Sequence, residues 1–258
     1  VEQVLAYQKE SGDRFGEAAI ALGLATGEDV LWALSQQFHY PYAADQRNHL
    51  NAELVVAKNP FSFRSEAFRA IRSQLMMRVF TADMSHRAVA VVSPDSGDGK
   101  TYFAANMAIA FSQLGGRTLL VDADMRSPRQ HELFGIDNAT GLSGILSGRT
   151  MVNVIRPVNE LPSLFVLPVG AVPPNPLELV ERPAFALLMR ELTSKFDYVV
   201  VDTPAYSHGA DAPVIAARCG AVLAIAREGQ SKMTSLHDLV DALRETPAKL
   251  CGVIMNEY

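Results

Sequence analysis

The chain has 258 residues, 48% hydrophobic and 20% charged, enough for an ordinary core in one large domain or in a large and a small one. A net charge of −5 argues against a dedicated nucleic-acid binder, which carries a basic face, and two cysteines, Cys219 and Cys251, exclude a disulfide framework. No apolar run reaches the roughly 18 residues that would read as a membrane span.

Residues 1–43 read as a small helical domain. VEQVLAYQKE and FGEAAIALGL carry apolar residues at helical spacing, and TGEDVLWALSQQFH follows with Thr26 as N-cap and Asp29 three residues on, a capping-box variant. Residues 44–60 are polar and uneven, and read as a linker. A long helix is predicted from Ser62 to Phe80, with Phe68, Ile71, Leu75 and Val79 on one face.

From His86 onward short apolar runs alternate with helices. The runs are AVAVVS, TLLVDAD, LFVLPVG, YVVVDTP, AVLAIA and CGVIMN; the helices include TYFAANMAIAFSQLG, AFALLMRELTSKF and MTSLHDLVDALRE. Strands apolar on both faces suit a sheet covered on both sides. Residues 61–258 are therefore expected to be α/β, a doubly wound, mostly parallel sheet of the P-loop NTPase type. Both cysteines sit in apolar runs and read as buried thiols of a reducing compartment.

The stretch SPDSGDGKT, residues 93–101, joins the first strand to a helix, the setting that a phosphate loop requires. It departs from the usual pattern in having Pro94 where a glycine is expected. The expected nucleotide-binding set is Ser96, Gly97, Asp98, Gly99, Lys100, Thr101 and Tyr102. Backbone amides would face the anion, Lys100 would reach the β- and γ-phosphates, and the Thr101 hydroxyl would ligate Mg²⁺. Asp122 and Asp124 end one apolar strand and Asp202 another, and ligands of open parallel sheets gather at such ends. Asp202 is the first choice for the metal, and Asp122 or Asp124 could take a proton from an attacking hydroxyl. Read singly, each would be a turn or helix cap.

These motifs come as a set: SPDSGDGKT, LLVDADMR, VVVDTP, PPNPLEL at residues 173–179, and Glu66, Arg69 and Arg72 in an E-x-x-R-x-x-R pattern. From about residue 61 to the end the chain resembles the bacterial tyrosine kinases of exopolysaccharide synthesis, of the chain-length-determinant type. The resemblance implies ATP and Mg²⁺ as cofactors and phosphoryl transfer to a protein tyrosine on a neighbouring subunit. It makes Lys100, Asp122, Asp124 and Asp202 the catalytic set, with Thr101, Asp124 and Asp202 at the metal. It also implies that Asn256 contacts the adenine base, although the residue could simply cap its strand. Glu66, Arg69 and Arg72 become a subunit contact in a homo-oligomeric ring; on charge alone they are a solvated face. The implied partner is a membrane-embedded polysaccharide chain-length regulator, which would hold a cytoplasmic chain at the inner membrane.

Related partition and division-site ATPases carry a lysine where this chain has Asp95, which places the sequence on the kinase side. Such kinases typically end in a tyrosine-rich tail. Here the tyrosines are at 7, 40, 42, 102, 198, 206 and 258, and only Tyr258 is C-terminal. An alternative is therefore an ATP-controlled switch that docks to the regulator with little kinase activity. A partition-type ATPase is the third reading.

The N-terminal segment resembles the helical N-terminal domain of type II secretion and pilus-assembly ATPases, through Arg14, Phe15, Gly16, Gly23, Val30, Leu34 and Gln37, with Ala19 where a leucine is usual. Tandem copies of that pattern bind cyclic di-GMP in some members. One copy is visible here, and the segment reads first as a small helical docking module with glycines at helix ends, with cyclic di-GMP binding as the alternative.

Overall fold

The computed structural model describes residues 1–37, 50–80, 88–149 and 153–257. Its centre is a seven-stranded sheet among the described residues, in the order β3-β4-β2-β5-β1-β6-β7. The strands are β1 (Ala88–Val92), β2 (Thr118–Asp122), β3 (Arg156–Val158), β4 (Leu161–Leu167), β5 (Tyr198–Asp202), β6 (Ala221–Arg227) and β7 (Lys249–Asn256). All pairings are parallel except that of β3 with β4. The unbroken apolar runs follow from two covered faces. Val89 and Val91 pack into the layer of α5 (Phe63–Arg78) and α6 (Lys100–Ser112), while Ala88, Ala90 and Val92 face α10 (Pro183–Lys195), α11 (Asp211–Cys219) and α12 (Met233–Arg244).

The helix expected over 62–80 is α5. Ser62 caps it, its Oγ accepting from the Ser65 amide at 3.2 Å, and Phe68, Leu75 and Val79 are buried with Ile71 half-buried. Edge strand β3 was not expected, since Pro157 and a three-residue length hide it. Burial pushes both thiols up: Cys219 is fully buried in α11, and Cys251 only partly so in β7.

The expected linker over 44–60 differs from the structure in its described part. Leu50, Leu54, Val55, Val56 and Ala57 join the main core, around the short helix α4 (Val55–Lys58). Asn106 of α6, fully buried, anchors this strap. Its Oδ1 accepts from the Val56 amide at 3.0 Å, and its Nδ2 donates to the Glu53 carbonyl at 2.8 Å. Asn51, Glu53, Lys58 and Asn59 flank the short apolar run at 54–57 on both sides, which made a packed segment read as a linker.

Residues 1–37 form α1 (Glu2–Ser11), α2 (Phe15–Ala21) and α3 (Gly27–Gln37). The Asp29 amide donates to Thr26 Oγ1 at 3.1 Å and the Thr26 amide to Asp29 Oδ2 at 2.8 Å, the reciprocal cap the sequence suggested. Val4, Ala18 and Ala19 make a small core of their own. A Cβ at Gly16 would lie 2.6 Å from Val30 Cγ1, and Gly23 turns the chain at a φ of 64°, so helix packing and a turn account for both glycines. The Trp32 ring meets Phe61 edge-on at 5.7 Å.

Candidate active site

The loop between β1 and α6 depends on its glycines. Gly97 and Gly99 have φ of 87° and 96°, where side chains are strained, and a Cβ at Gly99 would fall 2.2 Å from Asn256 Nδ2. The unusual front half closes the loop on itself. The Asp95 amide donates to Asp98 Oδ2 at 2.8 Å, and Ser93 Oγ to the Asp95 carbonyl at 2.7 Å. The carbonyls of Ser93 and Pro94 accept from the amides of Tyr206 and Ser207, each at 2.9 Å, in the turn after β5. Ser96 Oγ and His208 Nε2 of that turn are 2.8 Å apart. From β6, the turn after it and β7, Arg227 Nη1 donates to the Gly97 carbonyl (3.2 Å), Ser231 Oγ to Asp98 Oδ1 (2.7 Å) and Asn256 Nδ2 to the Asp98 carbonyl (3.0 Å). The loop is clasped on both sides, so its amides are set before any anion arrives.

Strands β2 and β5 are neighbours with Asp122 opposite Asp202, which brings the predicted carboxylates together at the start of α6. Asp122 and Asp202 are fully buried, and Asp124 nearly so. Burial and the neighbouring Asp202 raise the Asp122 carboxyl well above the usual range. Burial pushes Asp202 up to about 6, with Lys100 pulling it down and Asp124 adding to the rise. The three carboxylates have different uses. Asp122 accepts from the amides of Asp124 (3.2 Å), Arg129 (3.2 Å) and Gln130 (3.1 Å), which shapes the following turn. Asp124 Oδ1 accepts from the amides of Arg126 and Ser127 at 3.1 and 2.9 Å, leaving Oδ2 open to the cavity. Asp202 Oδ2 accepts from Gln130 Nε2 at 2.9 Å, while its buried Oδ1 has no hydrogen-bond partner among the described residues.

A cavity of about 370 Å³ opens over the first turn of α6. Of the expected set it takes in Ser96, Gly97 and Gly99 of the loop, Lys100, Thr101 and Tyr102 of α6, and Asp124 and Asn256. Asp98 turns its side chain inward, and Asp122 and Asp202 lie beneath the cavity rather than lining it. Asn256 braces the loop, as its bond to Asp98 shows, and also lines the wall. The orphaned Asp202 oxygen, beside the Thr101 hydroxyl and Lys100, fits a divalent cation. Among the described residues no three His, Cys, Asp or Glu side chains could hold a metal by themselves, so phosphate oxygens and water would complete the shell.

Four residues of the site escaped the sequence reading. Gln130, fully buried, ties Asp202 to the Thr101 carbonyl (3.1 Å), and Glu53, Arg129 and Arg227 line the cavity. None lies in a motif. Glu66, Arg69 and Arg72 sit on α5, away from the cavity. Arg69 Nη1 pairs with Glu66 Oε2 at 2.6 Å, and Arg72 Nη1 donates to the Ala110 carbonyl at 2.5 Å. Among the described residues no helix is long and apolar enough to cross a membrane.

A family model described as the CobQ/CobB/MinD/ParA nucleotide binding domain matches residues 89–258. The chain is 31% identical over 210 residues to tyrosine-protein kinase YwqD of Bacillus subtilis, covering 81% of this chain and 87% of that protein. It is also 31% identical over 210 residues to tyrosine-protein kinase Wzc of Salmonella typhimurium, but spans only 29% of that relative's length. The crystal structure of the chimerical protein CapA2B2 is similar at a TM-score of 0.74 and 33% identity, covering 90% of this chain and 99% of that one.

Proposed function

We propose, for a chain that belongs to the bacterial tyrosine-protein kinases built on this nucleotide-binding fold, that it transfers the γ-phosphoryl group of ATP to protein tyrosine and so regulates polysaccharide chain length and export. The observation that carries this is the meeting of a preset phosphate loop, Lys100 and the open oxygen of Asp124 in one cavity. Phosphoryl transfer needs little covalent help from the protein and depends on positioning and charge neutralisation. The loop amides and Lys100 hold the phosphates. Asp124, the one predicted carboxylate that lines the cavity, takes the proton from the acceptor hydroxyl. Gln130 fixes Asp202 and the first turn of α6 relative to each other. Thr101 and Asp202 would hold Mg²⁺, which would supply charge neutralisation at the phosphates.

The acceptor in this reading is a tyrosine of another chain, as the family resemblance implies. Tyr7 packs against the small N-terminal core, Tyr198 is stacked on Phe111 at 4.9 Å, Tyr206 is tied to the phosphate loop by its amide, and Tyr102 belongs to the cavity wall. Tyr40, Tyr42 and Tyr258 lie outside the described residues. A neighbouring copy in a ring, contacting through the Glu66, Arg69 and Arg72 face, would present the acceptor, and a membrane-embedded chain-length regulator would hold a cytoplasmic chain at the inner membrane. Incubation with Mg-ATP, the regulator and a Glu/Tyr copolymer should yield phosphotyrosine, and Lys100→Ala should not. Nucleotide binding without phosphotyrosine would sink the transfer reading and favour the ATP-controlled docking switch.

A further inference from the structure

The lining of the cavity includes an ion pair that the chemistry above does not use. Arg129 follows the Asp124 turn, its amide held by Asp122 Oδ2 at 3.2 Å. Its Nη1 donates to Glu53 Oε2 at 3.0 Å, and its Nη2 to Glu53 Oε1. Glu53 is carried by the strap, with its carbonyl bonded to Asn106 Nδ2 at 2.8 Å. Both backbones are thus anchored, while the side chains face the cavity at 45% and 29% exposure. A pair so exposed contributes little to stability. Arg129 lines the cavity together with Ser127 and Asp124. The other cations of the cavity are Lys100, nearly buried, and Arg227, which already donates to the Gly97 carbonyl.

The geometry points to Arg129 as the receiver of a phosphate dianion, with Glu53 as the resident counter-anion that the phosphate displaces. This rests on the nucleotide reading above and adds a subsite to it. A carboxylate offers a guanidinium the same two-oxygen edge that a phosphate does, so one can stand in for the other without moving the backbone. The dianion is either the γ-phosphoryl group of the bound nucleotide or the phosphoryl group on the product tyrosine.

Calorimetric titration of the full chain separates the two sources, using Mg-AMPPNP, Mg-ADP, and O-phosphotyrosine with saturating Mg-ADP. Glu53→Gln should tighten AMPPNP in the first case, or phosphotyrosine in the second, by about three- to tenfold while leaving ADP unchanged. Arg129→Ala should weaken the same ligand, Arg129→Lys should fall between, and Glu53→Gln with Arg129→Ala should match Arg129→Ala alone. Glu132→Gln, which removes a charge from the next helix outside the cavity, should change nothing. The proposal is overturned if Glu53→Gln improves neither ligand, if the gain persists without Arg129, or if Glu132→Gln reproduces it. A wild-type chain that binds none of these ligands would overturn the nucleotide reading itself, and this subsite with it.

Discussion

Asp202 governs the pH behaviour of the metal-free site. Its carboxyl is raised from 3.8 to about 6, chiefly by burial, so the fold favours the protonated form. The stability this contributes is complete below about pH 4 and is lost as pH rises through about 6, on the order of 3 kcal/mol in all. Asp122, raised by burial and by the neighbouring Asp202, adds in the same direction. Asp202→Asn, neutral at every pH, should therefore flatten the fall in stability between about pH 4 and pH 7 in urea titrations. Mg-nucleotide binding should do the opposite and tighten across that window, because it requires the carboxylate. Lys100→Ala should weaken Mg-ATP binding by about a hundredfold, since Lys100 is nearly buried at the start of α6, whereas the other cations of the cavity, Arg129 and Arg227, are already engaged with Glu53 and the Gly97 carbonyl. Unchanged affinity by calorimetry would remove Lys100 from the site.

Two elements, the strap at 50–60 and α5, pack on the body beside α6, and the strap reaches the cavity through Glu53. Asn106→Ala would leave the Val56 amide and Glu53 carbonyl without their partner. A loss of about 2–4 kcal/mol in urea denaturation is expected, because buried backbone groups without partners are costly. On α5 the guanidiniums of Arg69 and Arg72 already have acceptors within the chain, so a subunit contact would have to share or exchange them. The paired change Arg69→Ala and Arg72→Ala should lower the assembly size by light scattering with the helical circular dichroism unchanged. An unaltered size would reject the ring.

For the molecule as a whole, α1 and α2 share a small core of their own, and Trp32 of α3 meets Phe61 of the body. Removing residues 1–37 should leave Mg-ATP affinity within about twofold, as expected for a unit with separate packing. Cyclic di-GMP at high micromolar concentration should give no heat with the full chain, since Gly16 and Gly23 are accounted for by packing and a turn; a clear isotherm would restore the ligand reading. Every strand run but β3, the phosphate loop, the Thr26 cap and the carboxylates at the ends of β2 and β5 were legible in the linear order of residues. Each is written in local chemistry: an apolar period, a glycine pair before Lys-Thr, a hydroxyl ahead of a helix. The burial of the strap, the Gln130 tie, the clasp on the phosphate loop and the Glu53–Arg129 pair were decided by tertiary structure. Their partners stand far apart in the chain, 50 residues for Val56 and Asn106 and 112 for Ser96 and His208, and no local pattern specifies which polar groups will meet once the sheet has brought its strand ends together.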